Sequence, residues 1–345
     1  MTRRDLIAGL AAAAVLPAAV LPAVGAPAPA QERPGGYAAR PEVRAYIADL
    51  VQRHGFVESE LAWLFSRVRR VEPALQAIQP PSAERPRSWR EYRAMFLSER
   101  RIAAGAAFWK AHRRTLARAE REFGVPPQIV VAVIGVETFF GRNTGRWRVV
   151  DALATLAFDY PPRADFFRDE LTSYLLLARE SGADVFAARG SYAGAIGIPQ
   201  FMPGSVRRYA VDFDGDGAID LQRSAVDAIG SVANFLKAHG WQHGGAIALR
   251  VQVSGDAYRA YLDSIEPKYP VEALLKAGVA LRAPHAFPAD TRAALVELET
   301  PGHASEYRLG LQNFYVITRY NRSAFYAAAV EDLGAAIARA QEPGR

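Results

Sequence analysis

At 345 residues, half of them hydrophobic and 23% charged, the chain has enough apolar material for one large or two modest cores and is not a disordered polypeptide. It contains no cysteine, which excludes a disulfide framework, a zinc–thiolate site, a thiol nucleophile and a lipid anchored through a cysteine. The formal charge is +6 with arginines crowded into 85–121 and 142–168, yet no nucleic-acid-binding motif accompanies them, so the basic surface points to anionic polymers or headgroups and not to nucleic acid.

Residues 1–30 read as an export signal. Arg3 and Arg4 precede Leu6, Ile7 and an Ala/Leu/Val run, and small residues around Ala28 and Ala30 follow. The arginine pair suggests the twin-arginine route and the expected location is the periplasm, soluble after cleavage. No later stretch is long and charge-free enough to span a bilayer.

Residues 31–40 form a Pro/Ala/Gly linker, and the folded unit is expected over 41–340. Its first part, 41–123, is helical: Leu50, Val51, Leu61, Leu64, Phe65 and Val68, then Trp89, Tyr92, Phe96, Phe108 and Leu116, recur at three- and four-residue steps as a core stripe. A central part spans 124–210. Gly124 closes one helix there, and Pro126 and Pro127 open another that runs to about Phe140. Asp151 N-caps a helix to Phe158, a further helix covers Asp165 to Arg179, and 190–204 is a Gly-rich loop with a short helix. An acidic loop occupies 212–227, with a helix over 226–239. In the last part, 245–340, strands fall at 249–253 and 294–299, a short helix at 270–276 and a final helix at 323–340. The class is mainly α, with a small strand and loop region (α+β).

The stretch Val133-Ile134-Gly135-Val136-Glu137-Thr138-Phe139-Phe140-Gly141 sets one carboxylate in an apolar helix. Its same-face neighbours, Val133, Ile134, Phe140 and Gly141, offer no counter-charge, so desolvation favours the neutral acid. A carboxylic acid neutral near pH 7 is what protonating a glycosidic oxygen requires. The alternative is a Glu at a helix end, facing solvent or capped by Arg142.

Between Gly190 and Pro203, three glycines in eight residues permit close backbone approach to a ligand, with Ser191 and Gln200 as hydrogen-bonding groups and Tyr192 and Phe201 as flat faces. The order is not that of a phosphate-cradling loop. The run Asp212-Phe213-Asp214-Gly215-Asp216-Gly217-Ala218 reads as an oxygen-ligand loop of calcium type: carboxylates at Asp212, Asp214 and Asp216, the turn glycine at Gly217 and the Ala218 carbonyl. Arg223 stands where an ordinary calcium loop closes with a bidentate Glu.

Taken together, these segments resemble the membrane-bound lytic murein transglycosylase B family, among the lysozyme-like lytic transglycosylases. The resemblance rests on Val133 to Arg142, Asp151 to Pro161, Gly190 to Pro203, Asp212 to Gly217, Val226 to Asn234 and Asn313 to Arg322, and covers roughly 40–335. It implies a lysozyme-like core and non-hydrolytic cleavage of the β-1,4 bond between N-acetylmuramic acid and N-acetylglucosamine, leaving a 1,6-anhydromuramoyl end. Glu137 would be the single acid and then base, Ser191 would hold the N-acetyl or 6-hydroxyl side, and Gln200, Tyr320 and Asn321 would line the cleft, with Tyr326 and Tyr315 as further candidates. Asp227 would close the metal loop, Asp220 being the alternative. Calcium would be structural, with no cofactor for the chemistry, and peptidoglycan strands would be the partner; any synthase or amidase partner stays unnamed. The rivals are a hydrolytic muramidase, for which Asp151, Asp159, Asp165 and Asp169 offer a second carboxylate, and a catalytically silent wall-binding scaffold. A calcium sensor is weaker, since one loop alone is present.

Overall fold

The computed structural model describes residues 36–79, 88–283, 285–288 and 290–341; the expected export signal and residues 31–35 of the linker lie outside the described residues. Folding begins before Pro41. Gly36–Ala39 form a 3-10 turn whose Tyr37 is buried, its hydroxyl donating to Asp159 at 2.5 Å.

The helices are α1 (Pro41–His54), α2 (Glu58–Ser66), α3 (Glu72–Ala77), α4 (Trp89–Phe96), α5 (Glu99–Ala111), α6 (Arg113–Phe123), α7 (Pro127–Thr138), α8 (Val149–Asp159), α9 (Ala164–Ser181), α10 (Pro203–Tyr209), α11 (Ala225–Ala238), α12 (Val271–Lys276), α13 (Gln312–Tyr320) and α14 (Ala324–Arg339). The strands are β1 (Trp147–Arg148), β2 (Arg189–Gly190), β3 (Ala248–Val253), β4 (Tyr269–Pro270), β5 (Val279–Leu281), β6 (Arg292–Leu298) and β7 (Glu306–Gly310). Among the described residues no helix is long and apolar enough to cross a membrane.

The chain forms two compact units, and its passage from one to the other at Asn143–Thr144 falls inside the 124–210 segment. One unit joins 36–79 to 144–208. Its centre is α8, buried all round from Val149 to Ala157 and packed against α9. Phe158 beside it takes the edges of Tyr46 and Phe65 at 5.5 and 6.2 Å. Asp151 does not cap this helix. The N-cap is Arg148, and Asp151 sits inside the first turn, accepting from Arg148 Nε at 2.6 Å and from the Arg69 backbone N–H at 3.0 Å. The pull of that guanidinium outweighs the capping preference of an aspartate.

The other unit joins 88–143 to 209–341. Its centre is α7, buried from Ile129 through Thr138 and packed by α14, α5, α11 and α6. Its antiparallel sheet runs β4-β6-β7-β3-β5. Leu295 pairs with Leu309, and these residues with Val251, Tyr258 and Leu274 make a local core. Arg308, one residue along β7, points to the opposite face. Fully buried, it donates to Glu306 and also to Glu331 and Asp332 of α14 at 2.8 and 3.0 Å. The expected strands and the 226–239, 270–276 and 323–340 helices are present within two residues at each end.

Candidate active site

Helix α7 begins with Pro127, whose fixed φ suits a first turn, and ends one residue after Glu137. Phe139 and Phe140 both adopt left-handed backbone, φ 52° and 61°, an uncommon conformation for aromatic residues that stops the helix. The Phe140 ring then folds back over Gly135, where a Cβ would lie 2.7 Å from it, so any larger residue there would have to displace the ring. Arg100, Arg101 and Arg142 gather on the Phe139 ring at 5.3, 5.0 and 5.1 Å, and Arg101 also donates to the Gly135 carbonyl at 2.7 Å. Arg142 therefore does not cap Glu137. Among the described residues no cation pairs with that carboxyl.

Glu137 is 7% exposed. Its hydrogen-bond partner is a phenol from the far end of the chain: Tyr326 Oη donates to Oε1 at 2.6 Å. Burial pushes the Glu137 carboxyl up to about 8, and the Tyr326 bond, which favours the ionised form, only partly opposes it. The acid is thus mostly protonated at neutral pH. Tyr326 stands in the first turn of α14, where Ser323 Oγ accepts its backbone N–H at 3.4 Å. Tyr320, at the end of α13, stacks on it with centroids 6.4 Å apart and rings 13° from parallel. Both phenols are driven well above the usual tyrosine range, by burial first and then by the Glu137 carboxyl. Tyr92, read from sequence as core stripe, adds to the shift of Tyr326. Helical periodicity gave no sign of that role. Asn321 follows Tyr320 in extended backbone and is buried, its carbonyl accepting from Ser323 N–H at 2.7 Å. Tyr315 lies under Arg319 at 5.7 Å.

Ser191 and Gln200 belong to the unit formed by 36–79 and 144–208. The loop starts at a two-residue ladder in which Trp147 pairs with Gly190. Backbone from Gly145 crosses Gly190 so closely that a Cβ on Gly145 would meet its carbonyl at 2.0 Å. Ser191 Oγ accepts backbone N–H groups from Ala193 at 3.3 Å and Ala195 at 3.0 Å, which leaves its own proton to give. Gln200, left-handed at φ 52°, ties the loop through Nε2 to the carbonyls of Thr144 and Gly197 at 3.1 and 2.8 Å. Of the four aspartates available for a second carboxylate, three pair with arginines, Asp151 with Arg148 and Asp159 with Arg40 and Arg70 among them. Exposed Asp165 pairs with Arg168 at 3.2 Å.

In the acidic loop, carboxylate oxygens of Asp212, Asp214 and Asp227 lie within 4.8 Å of one another, a hard-oxygen donor set that fits a calcium ion. Asp227 is buried, and its two oxygens also accept the backbone N–H groups of Phe213 and Asp220 at 2.8 Å each. Asp220 is turned to the N–H groups of Gln222 and Arg223. Asp216, placed among the ligands by spacing, lies outside this trio and accepts the Ala218 N–H at 2.9 Å.

A helical frame holding one neutral acid against a phenol marks an enzyme of the lysozyme-like class. The chain belongs to the Transglycosylase SLT domain family, which it matches over residues 38–335. It is 41% identical over 316 residues to the membrane-bound lytic murein transglycosylase B of Escherichia coli (strain K12), an alignment spanning 89% of this chain and 85% of that protein. The structure is similar to that of soluble lytic transglycosylase SltB1 from Pseudomonas aeruginosa, with a TM-score of 0.81, 47% identity, and coverage of 87% of this chain and 99% of the other. The E. coli lytic transglycosylase SLT35, solved in complex with calcium, superimposes with a TM-score of 0.79 at 41% identity, covering 89% and 96%.

Proposed function

We propose that this protein is a peptidoglycan lytic transglycosylase that cleaves the β-1,4 bond between N-acetylmuramic acid and N-acetylglucosamine without water, leaving a 1,6-anhydromuramoyl end. The observation that carries the reading is the Glu137 carboxyl, buried and protonated beside Tyr326. Glu137 gives its proton to the glycosidic oxygen as the C1–O bond breaks, and the N-acetyl oxygen of the same sugar meets the positive charge at C1. The carboxylate left behind then takes the 6-hydroxyl proton while O6 bonds to C1, so the acid is restored and no water is consumed. We assign Ser191, through the one proton its hydroxyl keeps, to the N-acetyl carbonyl, a natural acceptor. Tyr326 positions the Glu137 carboxyl and damps its rise in pKa. Tyr320, Asn321 and Gln200 are assigned to sugar contacts.

Asp212, Asp214 and Asp227 would hold a calcium ion, with Asp216 and the Ala218 carbonyl at its margin. When bound, the ion would neutralise the three carboxylates and fix the loop to α11, with no part in the chemistry. The expected setting is the periplasm, reached through the signal in residues 1–30; these 345 residues hold no cysteine on which to build a thioether lipid anchor.

The test is mass spectrometry of soluble products from purified sacculi. Anhydro ends are expected. Reducing muramic ends would make the protein a muramidase, and no release would make it a scaffold.

A further inference from the structure

The unit formed by 36–79 and 144–208 carries a cavity of about 520 Å³ walled by Trp63, Arg67, Val68, Arg69, Arg148 and Phe186. We propose that it is a recognition site for a short acidic peptide, namely the carboxylate-bearing stem peptides of the proposed polymer substrate. This rests on the functional reading above for the source of the peptide, and on the cavity itself for the chemistry.

Trp63 is 53% exposed, unusual for so large an apolar ring, and meets Phe186 at 6.0 Å and 60° to form an open aromatic corner. Each ring carries a guanidinium: Arg67 lies 4.0 Å over Trp63, and Arg148 4.9 Å over Phe186. A guanidinium held by a ring face keeps its N–H edge for a carboxylate, which it can grip with two parallel bonds. The local carboxylates are already engaged. Asp151 takes Arg148 at 2.6 Å, Glu72 takes Arg70, and Asp184 accepts the Phe186 backbone N–H at 2.9 Å. Among the described residues no ion pair reaches Arg67 or Arg69, so two cations face the cavity uncompensated.

The volume suits a ligand of a few residues, within the roughly 300–1,000 Å³ usual for small-molecule sites. N-acetylglucosamine is neutral, and so is N-acetylmuramic acid where its lactyl carboxyl is amide-linked to a stem, whereas the α-carboxylate of a γ-linked glutamate and the terminal carboxylates of the stem supply the charge, and alanine methyls suit the aromatic corner. The site is also joined to the Gly-rich loop. Arg148 pairs with Arg189 in the ladder whose next residues are Gly190 and Ser191.

The experiment follows the Trp63 indole N–H, assigned with Trp63→Phe, in nitrogen-labelled wild-type protein titrated with synthetic L-Ala-γ-D-Glu-meso-diaminopimelate, a peptide with no glycosidic bond to be cleaved. Saturable movement is expected, weakened at least tenfold in Arg67→Ala/Arg69→Ala and lost when the peptide carboxylates are amidated. An unmoved signal, equal binding of the amide, unchanged binding by the double variant, or movement only with phosphatidylglycerol vesicles would each overturn the site. Anhydro release from sacculi with no peptide binding defeats this site alone. Peptide binding with no release defeats the functional reading and leaves an acidic-peptide site.

Discussion

At the scale of single residues, the protonation of Glu137 has two measurable consequences. Because the folded carboxyl titrates at about 8 and the unfolded one near 4.5, the folded state binds more protons between those values, and stability falls as pH rises through that window. Below it both states are neutral and above it both are ionised, so the loss is complete above about 8. Glu137→Gln, always neutral, is therefore expected to gain stability over wild type progressively from pH 4.5 to 8 while losing about 10²–10⁴-fold in turnover. Urea unfolding at several pH values checks the first, and a gap that does not widen would place the carboxyl in water. Tyr326→Phe should raise the alkaline limb of the activity profile, because the lost bond favoured the ionised acid. Hydrogen bonds to charged groups contribute about 1.5–3 kcal/mol, which is on the order of one to two pH units. A limb that moves down would reverse the assigned role. Half of this chemistry was legible in sequence: an apolar helix with no counter-charge at i±3 or i±4 announces a perturbed acid. The phenol was not, since Tyr326 lies 189 residues away and only folding brings it there.

At the scale of elements, the acidic loop shows what spacing conveys. Aspartates at alternating positions announce an oxygen-ligand loop, but they do not say which carboxylates converge. Asp216 is drawn into its own turn by the Ala218 N–H, while Asp227 enters from α11 with its oxygens already holding the Phe213 and Asp220 N–H groups. Calcium is expected to raise the melting temperature of wild type, by an amount equivalent to about 2.7 kcal/mol at a hundredfold excess over Kd. Asp214→Ala should melt as wild type does in chelator yet respond weakly to calcium. Equal shifts in both proteins would move the ion elsewhere. The same limit applies to Asp151, where an arginine three residues earlier redirected a residue whose type suggests a cap, and to β1, β2 and β4, two residues each and too short to alternate visibly.

At the scale of the whole molecule, α14 links the acid to the sheet. It carries Tyr326 at one end and, about one and a half turns on, Glu331 and Asp332, which grip buried Arg308 of β7. Removing one partner of a buried ionic cluster leaves charge uncompensated, so Arg308→Ala is expected to cost about 3–5 kcal/mol in urea unfolding. Arg93, 42% exposed on the same Asp332, should cost no more than about 1 kcal/mol when replaced by alanine. Equal costs would mean that the cluster is wetter than its burial indicates.

The distance along the chain between Glu137 and Tyr326 also orders events in time. At ribosomal speeds of roughly 5–20 residues per second, the acid is synthesised about ten to forty seconds before the phenol that meets it. Until α14 arrives, α7 lacks a helix that covers it, and a solvated Glu137 is an ordinary, ionised carboxylate with no proton to give. A nascent or clipped chain ending before Ala324, even if held in solution, is expected to show no glycan cleavage at neutral pH. On the function proposed above, completion of the polypeptide would be the step that turns Glu137 into an acid able to act on the wall.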